Sequence, residues 1–149
     1  DARWPGRFET LAREPLLIAD VAHNIDSFRA LLAVLREGHP RVPFQVLFGV
    51  KPDKELARIA PFLAGLGDVS HVFGGEGRPG DPDRTTAGHD LADAREVAET
   101  LRVHNLRAVS RGGLKELPEV VSALRADKIN LLACGSHHLV GALMSSFSS

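Results

Sequence analysis

The sequence predicts an α/β domain with a mostly parallel sheet, one antiparallel strand at its N-terminal end, and helices on both faces. Short apolar runs of strand length alternate with segments whose apolar residues recur at helical spacing. The two opening runs are separated by only three residues, which favours a hairpin before this alternation begins. Strands that alternate with helices typically form parallel sheets through right-handed crossovers, so the strand-to-helix loops should open on one edge.

The composition indicates one globular domain over residues 1–149. The chain is 44% hydrophobic and 25% charged, with a formal net charge of −1 and no block of lysine or arginine. The lack of a basic patch argues against a nucleic-acid partner and against a membrane-surface protein. No apolar run is long enough to span a bilayer, and the single cysteine, Cys134, fits a reducing compartment. We therefore expect a cytoplasmic protein.

The opening hairpin and the first helix are predicted by local signals. Residues 8–12 and 16–20 form short runs of strand type on either side of a turn that contains a proline. Apolar residues then recur at helical spacing over 25–38, where a glycine ends the pattern. Asn24 or Asp26 can cap the start of this helix.

The middle of the chain continues the alternation. Residues 43–50 are a nearly continuous apolar run, which is typical of a buried strand. Helical spacing follows over 56–63, another strand over 69–73, and helical spacing again over 91–101. Glycine, proline and charged residues dominate 74–90, which predicts a surface loop.

The last third repeats the pattern on a smaller scale. Gly112 and Gly113 predict a turn after a short strand, and the final serine-rich stretch predicts a frayed tail. The predicted elements are a strand at 107–110, a helix at 117–124, a strand at 129–134, a helix at 137–143 and a frayed tail at 145–149.

Polar residues follow three of the predicted strands where the strands end. Asp20 and His23 follow the second strand, Lys54 lies where the next helix opens, and Ser136 lies between the last strand and the last helix. Ligands of open α/β sheets bind at the carboxyl edge, where these residues should converge. They predict a site for an anionic ligand.

Arg7 is a further candidate, within the segment Trp4–Glu9. It lies beside the first strand between two large aromatic residues, next to a proline–glycine turn. The planar guanidinium binds phosphate oxygens in pairs, so Arg7 is suited to a phosphate. The alternative is an entry loop with no ligand.

Two other motifs are better explained without a ligand. Residues 75–80 match G-x-G-x-x-G, but prolines follow and no helix starts within the motif, so a flexible loop is favoured over a dinucleotide site. His137 and His138 lack the ligand spacing of zinc sites, so we interpret them as exposed or helix-capping residues and predict no metal site. No P-loop motif occurs in the chain.

Four segments together resemble the C-terminal domain of folylpolyglutamate synthase/dihydrofolate synthase, a member of the Mur ligase superfamily. They come in the family order, and the resemblance covers about residues 3–143. The four are WPGRFE at 4–9, DVAHN at 20–24, LFGVKPDKE at 47–55 and CGSHHLVGA at 134–142.

The resemblance implies a Rossmann-like sheet and an ATP-dependent ligase. In this family ATP phosphorylates a carboxylate of dihydropteroate or a folate, and the amine of L-glutamate then attacks the acyl phosphate. By resemblance, ATP and Mg²⁺ are bound mainly by an N-terminal P-loop ATPase domain that this chain does not contain. That domain is the expected partner, and the isolated chain is expected to be inactive.

The resemblance also assigns roles to individual residues. Arg7 would reach the ATP phosphates as a catalytic and nucleotide-binding residue, while Asp20 and Asn24 would bind the nucleotide, with Asp20 at the ribose hydroxyls. His23 and Lys54, as catalytic residues, would join Ser136 around the incoming glutamate.

The sequence departs from the family pattern at three positions. Val21 stands where glycine is usual, His138 where tyrosine is usual, and Ala142 where an acidic residue is usual. The family's proline–arginine–alanine segment is not visible in 83–88. The departures at Val21, His138 and Ala142 support one alternative, a stand-alone binding or adaptor domain that has lost catalysis. Two others stay open: a cell-wall Mur ligase C-terminal domain and, on residues 75–80 alone, a dehydrogenase.

Overall fold

The computed structural model describes residues 7–52, 54–75 and 91–148, and within them it forms a six-stranded sheet flanked by helices. The strands are β1 (Glu9–Arg13), β2 (Leu16–Ala19), β3 (Phe44–Phe48), β4 (Val69–Phe73), β5 (Arg107–Gly112) and β6 (Asn130–Cys134). The helices are α1 (Ile25–Gly38), α2 (Leu56–Leu66), α3 (Ala94–Val103), α4 (Leu117–Ala126) and α5 (His137–Ser148), with a short 3₁₀ turn at Leu114–Glu116.

The sheet has the order β1-β2-β6-β3-β4-β5. β1 pairs antiparallel with β2, and all other neighbouring strands are parallel. This confirms the predicted α/β fold with one antiparallel N-terminal strand. The last strand in sequence, β6, lies between β2 and β3, so the loops that follow these three strands are neighbours.

Helices cover both faces of the sheet, as predicted. On one face α1, α2 and α3 pack on a core that includes Phe28, Phe48 and Leu63. On the other face α4 and α5 pack on a second core that includes Leu117 and Leu139. The near-continuous apolar character of β3 follows, since its side chains alternate between these two cores.

Several predicted boundaries were wrong, each for a local reason. The first strand begins at Glu9 instead of residue 8, because Phe8 has a φ of 42° and leaves the extended conformation. The third helix begins at Ala94 instead of 91, because the carboxylate of Asp93 accepts the amides of Arg95 and Glu96 and caps the first turn.

Two further differences lie near the C-terminal end. Gly112, predicted in a turn, lies in β5 and pairs with Phe73. The predicted frayed tail is helical as far as Ser148, where α5 ends, instead of near residue 143. The ring of Phe147 lies 5.7 Å from the guanidinium of Arg125, and this contact ties the last turn to α4.

Most of the predicted loop at 74–90 lies outside the described residues, as do the last glycines of the G-x-G-x-x-G motif. Within the described ranges, Gly75 pairs with Asp93 in an isolated bridge. No helix of the described part of the chain has the length and apolar character needed to cross a bilayer.

Candidate functional site

The site is built where β2, β3 and β6 end side by side. The ladder between β2 and β6 continues past β2, since the Asp20 amide donates to the Ala133 carbonyl at 2.9 Å. One step on, the Gly135 amide donates to the Ala22 carbonyl at 2.7 Å. The turns after β2 and β6 are therefore fastened to each other.

Gly135 is the position at which this junction tolerates no side chain. Its φ is +107°, a conformation that favours glycine. A Cβ at this position would also overlap the carbonyl oxygen of Gly49 and lie against the ring of Phe48. The close approach brings the ends of β3 and β6 together at the site.

Asp20 fastens the N-terminal segment to this edge. Its Oδ2 accepts the amide of Phe8 at 2.9 Å, and its Oδ1 accepts the amide of Ala22 at 2.8 Å. Burial raises the pKa of Asp20 above its ordinary 3.8, although these two backbone hydrogen bonds and the charge of Arg7 act in the opposite direction. A carboxylate is thus held in place where ionisation is costly.

His23 is oriented by its own turn. The Nδ1 atom lies 3.1 Å from the Val21 carbonyl oxygen, which can only accept, so Nδ1 carries the proton. The backbone amide of His23 donates to the Ser27 hydroxyl at 3.0 Å. The Nε2 atom remains available to a ligand.

Asn24 caps α1. Its side-chain oxygen accepts the Ser27 amide at 2.8 Å, and the Ser27 hydroxyl accepts the Asn24 amide at 3.0 Å, which together form a capping box. Of the two caps that the sequence allowed, the structure uses Asn24. Its predicted nucleotide-binding role stays a prediction, and its side chain lines neither of the two cavities described next.

Two cavities adjoin at this edge, and their linings differ. The apolar cavity has a volume of about 460 Å³ and runs along α1. The cationic cavity has a volume of about 350 Å³ and lies between the turns that follow β3 and β6. The apolar cavity is lined by Arg7, Phe8, Asp20, Val21, Ala22, His23, Ser27, Ala30, Leu31, Val34 and His137. The cationic cavity is lined by His23, Lys51, Lys54, Gly135, Ser136, His137 and His138.

The two cavities share His23 and His137. The ring centroids of these histidines are 5.7 Å apart, and the planes are tilted by 48°. The described lining of the cationic cavity contains no acidic residue, so its field attracts anions. One cavity therefore suits an apolar ring with a polar tail, and the other suits carboxylate or phosphate oxygens.

The structure brings together most of the residues that the sequence singled out. Arg7 and Asp20 line the apolar cavity, Lys54 and Ser136 line the cationic cavity, and His23 lines both. Ser136 is 3% exposed, and its hydroxyl accepts the His138 amide at 3.0 Å, so it also caps α5. The roles predicted for these five residues remain predictions.

Sequence reasoning missed Lys51 and the position of His137. Lys51 lies directly after the apolar run that contains β3, and this position could have identified it as a residue of the carboxyl edge. His137 is exposed, as expected, but it also stands at the junction of the cavities. The sequence gives no signal for the direction of the His137 side chain, because that direction depends on how α5 packs on the sheet.

The departures at Val21 and Ala142 fit their surroundings. Val21 is half-buried against the core under α4 and α5, and it is not among the described residues with positive φ. Ala142 packs against the same core, and His138 is exposed beside the cationic cavity. The turn after β2 therefore accommodates a valine without a positive φ.

A second polar cluster lies inside the sheet, away from the cavities. His71 on β4 is 3% exposed, and its Nε2 lies 2.6 Å from the Gln45 side-chain oxygen. The Arg111 Nε donates to His71 Nδ1 at 3.0 Å. Burial, followed by the charge of Arg111, lowers the pKa of His71 to about 4. Among the described residues no three His, Cys, Asp or Glu side chains are grouped to hold a metal ion.

Comparison with known proteins gives a consistent result. The sequence profile described as "Mur ligase, glutamate ligase domain" matches residues 6–137. A probable bifunctional folylpolyglutamate synthase/dihydropteroate synthase of Halobacterium salinarum is 30% identical over 133 residues, which is 89% of this chain and 15% of that protein. A UDP-N-acetylmuramoyl-L-alanyl-D-glutamate–L-lysine ligase of Enterococcus faecalis is 37% identical over 70 residues, or 46% of this chain and 14% of that protein.

Solved structures match over a longer span. A bifunctional folylpolyglutamate synthase/dihydrofolate synthase of Yersinia pestis, complexed with AMPPNP and a Mn ion, aligns with a TM-score of 0.76 at 26% identity. The alignment covers 99% of this chain and 32% of that one. The chain thus spans a third or less of the relatives described here, and these matches confirm the resemblance carried by the four sequence segments.

Proposed function

The chain belongs to the Mur ligase family of glutamate ligase domains, and we propose that it acts as the C-terminal domain of an ATP-dependent ligase. The reaction is the addition of L-glutamate to dihydropteroate or a folate through an acyl phosphate. One observation carries the proposal: two cavities of different chemistry adjoin at the carboxyl edge and share His23 and His137. A ligase of this kind needs a nucleotide and an amino acid close together.

The apolar cavity suits the nucleotide. Ala30, Leu31 and Val34 offer an apolar wall to a purine, and Val34, at 46% exposed, is a large apolar side chain that a ligand could cover. Asp20 retains unused lone pairs after its two backbone hydrogen bonds, and these can accept ribose hydroxyls. Arg7, exposed beside Asp20, can reach phosphate oxygens.

The cationic cavity suits L-glutamate. Glutamate carries two carboxylates, and Lys51, Lys54 and His138 line the cavity with no acidic residue among its described lining. Ser136 adds a hydroxyl at the start of α5. His23 lines both cavities, and its Nδ1 is held by the Val21 carbonyl, which leaves Nε2 for the junction where the glutamate amine would meet the acyl phosphate.

The chemistry explains why cations are needed here. The γ-phosphoryl group of ATP passes to a carboxylate of the pteroate or folate. The glutamate amine then attacks the acyl carbon and gives up a proton, the C–N bond forms, and the acyl C–O bond breaks so that inorganic phosphate leaves. Arg7 and Lys54 offset the negative charge that collects on the phosphoryl and acyl oxygens, while the unprotonated Nε2 of His23 can accept the proton that the glutamate amine gives up.

The remaining parts of the reaction belong to another domain. The described linings hold one carboxylate, Asp20, and we assign its remaining lone pairs to the ribose hydroxyls, so these linings leave no carboxylate for Mg²⁺. We assign Mg²⁺, the P-loop and most folate contacts to an N-terminal ATPase domain, and we expect no turnover from this chain alone.

The second candidate is a cell-wall ligase, favoured by the identity to the muramoyl ligase that adds L-lysine. The cationic cavity argues against it, because Lys51 and Lys54 would repel the side-chain ammonium of lysine. Calorimetric titration of this chain with L-glutamate and with L-lysine separates the two: glutamate should bind and lysine should not. Binding of lysine with rejection of glutamate would favour the cell-wall reading.

Arg7→Ala tests the folate ligase proposal in the full-length enzyme. Arg7 is exposed, so its removal should change the free energy of unfolding by less than about 0.5 kcal/mol. Loss of a cation at the phosphates should lower turnover on folate, ATP and L-glutamate by about a hundredfold or more. Arg13→Ala, an exposed arginine at the far end of β1, is the matched control and should keep turnover. Equal turnover in both variants would refute the assignment of Arg7.

A further inference from the structure

His137 occupies a position that the proposed roles do not use. It is the first residue of α5, and it lines both the apolar and the cationic cavity. The neighbouring His138 lines only the cationic cavity. The two histidines thus differ in one respect that matters, which is access to the second cavity.

His137 and His23 differ in how firmly they are held. The His23 ring is oriented by the hydrogen bond from Nδ1 to the Val21 carbonyl. The ring of His137 is exposed, and the hydrogen bonds found in the described ranges do not include it. Its one assigned ring contact is the tilted packing on His23 at 5.7 Å. His137 therefore keeps rotamer freedom that a ligand can remove.

The shape of imidazole allows one ring to contact two ligands. Nδ1 and Nε2 lie on different edges of the ring, and each can donate or accept a hydrogen bond. A ring at the junction can present one nitrogen to each cavity. A ligand that orders the ring from one side leaves the other nitrogen correctly placed for a ligand on the other side.

We propose that His137 couples the two sites, so that a nucleotide bound in the apolar cavity raises the affinity of the cationic cavity for L-glutamate. This inference rests on the proposed function. The first ligand bears the entropic cost of ordering the ring, and the second binds to a ring already ordered. Because such coupling is reciprocal, L-glutamate must raise the affinity for the nucleotide by the same factor.

The test is calorimetric titration of the full-length enzyme, without folate, with ATP and with L-glutamate, each alone and in the presence of the other. We expect each ligand to tighten the binding of the other by about fivefold to tenfold. His137→Phe keeps a ring of similar shape against His23 but removes both nitrogens, and it should abolish the tightening. Thermal melts of this variant should match wild type, because position 137 is exposed.

His138→Phe is the matched control. His138 lines only the cationic cavity, so this variant should weaken L-glutamate binding while the tightening by ATP persists. A merely structural role for His137 would not separate the two variants in this way.

The outcomes distinguish this inference from the proposed function. If wild type binds both ligands independently, or if His137→Phe retains the tightening, the coupling role is refuted and the two sites stand. If the full-length wild type binds neither ATP nor L-glutamate, the proposed function is contradicted and the coupling role falls with it.

Discussion

Asp20, just after β2, and His71, within β4, are both titratable side chains at least partly removed from solvent, yet one keeps its charge and the other loses it. Asp20, at the carboxyl edge, stays a carboxylate that accepts two backbone amides, although burial raises its pKa. His71, inside the sheet, gives up its charge, since its pKa falls to about 4 and its two nitrogens pair with Arg111 and Gln45.

This difference between Asp20 and His71 indicates which part of the fold is functional. A neutral, fully paired histidine costs the interior little and needs no ligand to explain it. A carboxylate retained against its desolvation cost, at the rim of a cavity, is a local conflict of the kind that marks functional sites. The edge and the interior should therefore respond differently to mutation and to pH.

Gly135→Ala should give the largest effect. The new Cβ would overlap the Gly49 carbonyl at a φ of +107°, so we expect a loss of about 3 kcal/mol in the free energy of unfolding. Gly141→Ala is the control: a Cβ built there meets no packed neighbour within 4 Å in the described part of the chain, and alanine should stabilise α5 by up to about 1 kcal/mol. Urea melts measure both. Equal effects would mean that the edge is not packed as described.

The interior should respond to acid. Unfolded His71 takes up a proton near pH 6.5, whereas folded His71 does so only near pH 4. The unfolded state therefore binds more protons between these values, and wild-type stability should fall by about 2.5 kcal/mol as the pH falls from 7 to 4.5. His71→Gln should remove most of that slope in urea melts at pH 4.5 to 7. His104→Gln, at the exposed end of α3, controls for loss of a histidine, and a slope unchanged by His71→Gln would contradict the neutral, paired state.

Asn24 lies at the carboxyl edge, but its hydrogen bonds are local to the first turn of α1, so its replacement should have a smaller effect on stability than the changes at Gly135 and His71. Asn24→Ala removes the capping box of α1 and should cost about 1 kcal/mol. Thermal melts measure this loss, and Asn24→Ser, which can still cap, should recover most of it. A variant that binds ATP as wild type does but melts earlier would assign Asn24 to the fold alone; weaker ATP binding would support its predicted nucleotide role.

The fold was readable from the sequence because its signals are local and repeated. The apolar run of β3 and the helical spacing of α1 each carry their own period, and the alternation fixes a parallel sheet. The convergence of Asp20, Lys54 and Ser136 followed from one topological rule about carboxyl edges. What escaped prediction depends on packing: the continuation of α5, the place of His137 between two cavities and the pairing of His71 across three strands.

The smallest effect belongs to Asp20, and it has the opposite sign to that of His71. Burial raises the pKa of Asp20 above 3.8, so in the window just above that value the folded state binds more protons than the unfolded state. Stability contributed by Asp20 should therefore fall as the pH rises through the window, while the contribution of His71 increases.

Asp20→Asn isolates the contribution of Asp20 ionisation to stability, since asparagine keeps one acceptor oxygen and does not ionise. Urea melts from pH 4 to 6 should show that the variant gains stability relative to wild type as the pH rises, by less than the His71 effect because the two amide bonds and Arg7 oppose the shift. Asp26→Asn, on the exposed first turn of α1, is the control. If the variant instead loses stability relative to wild type as the pH rises, the charge of Asp20 stabilises the fold. The contrast between a carboxylate that is costly to bury at the edge and a neutral, hydrogen-bonded histidine in the interior would then be wrong.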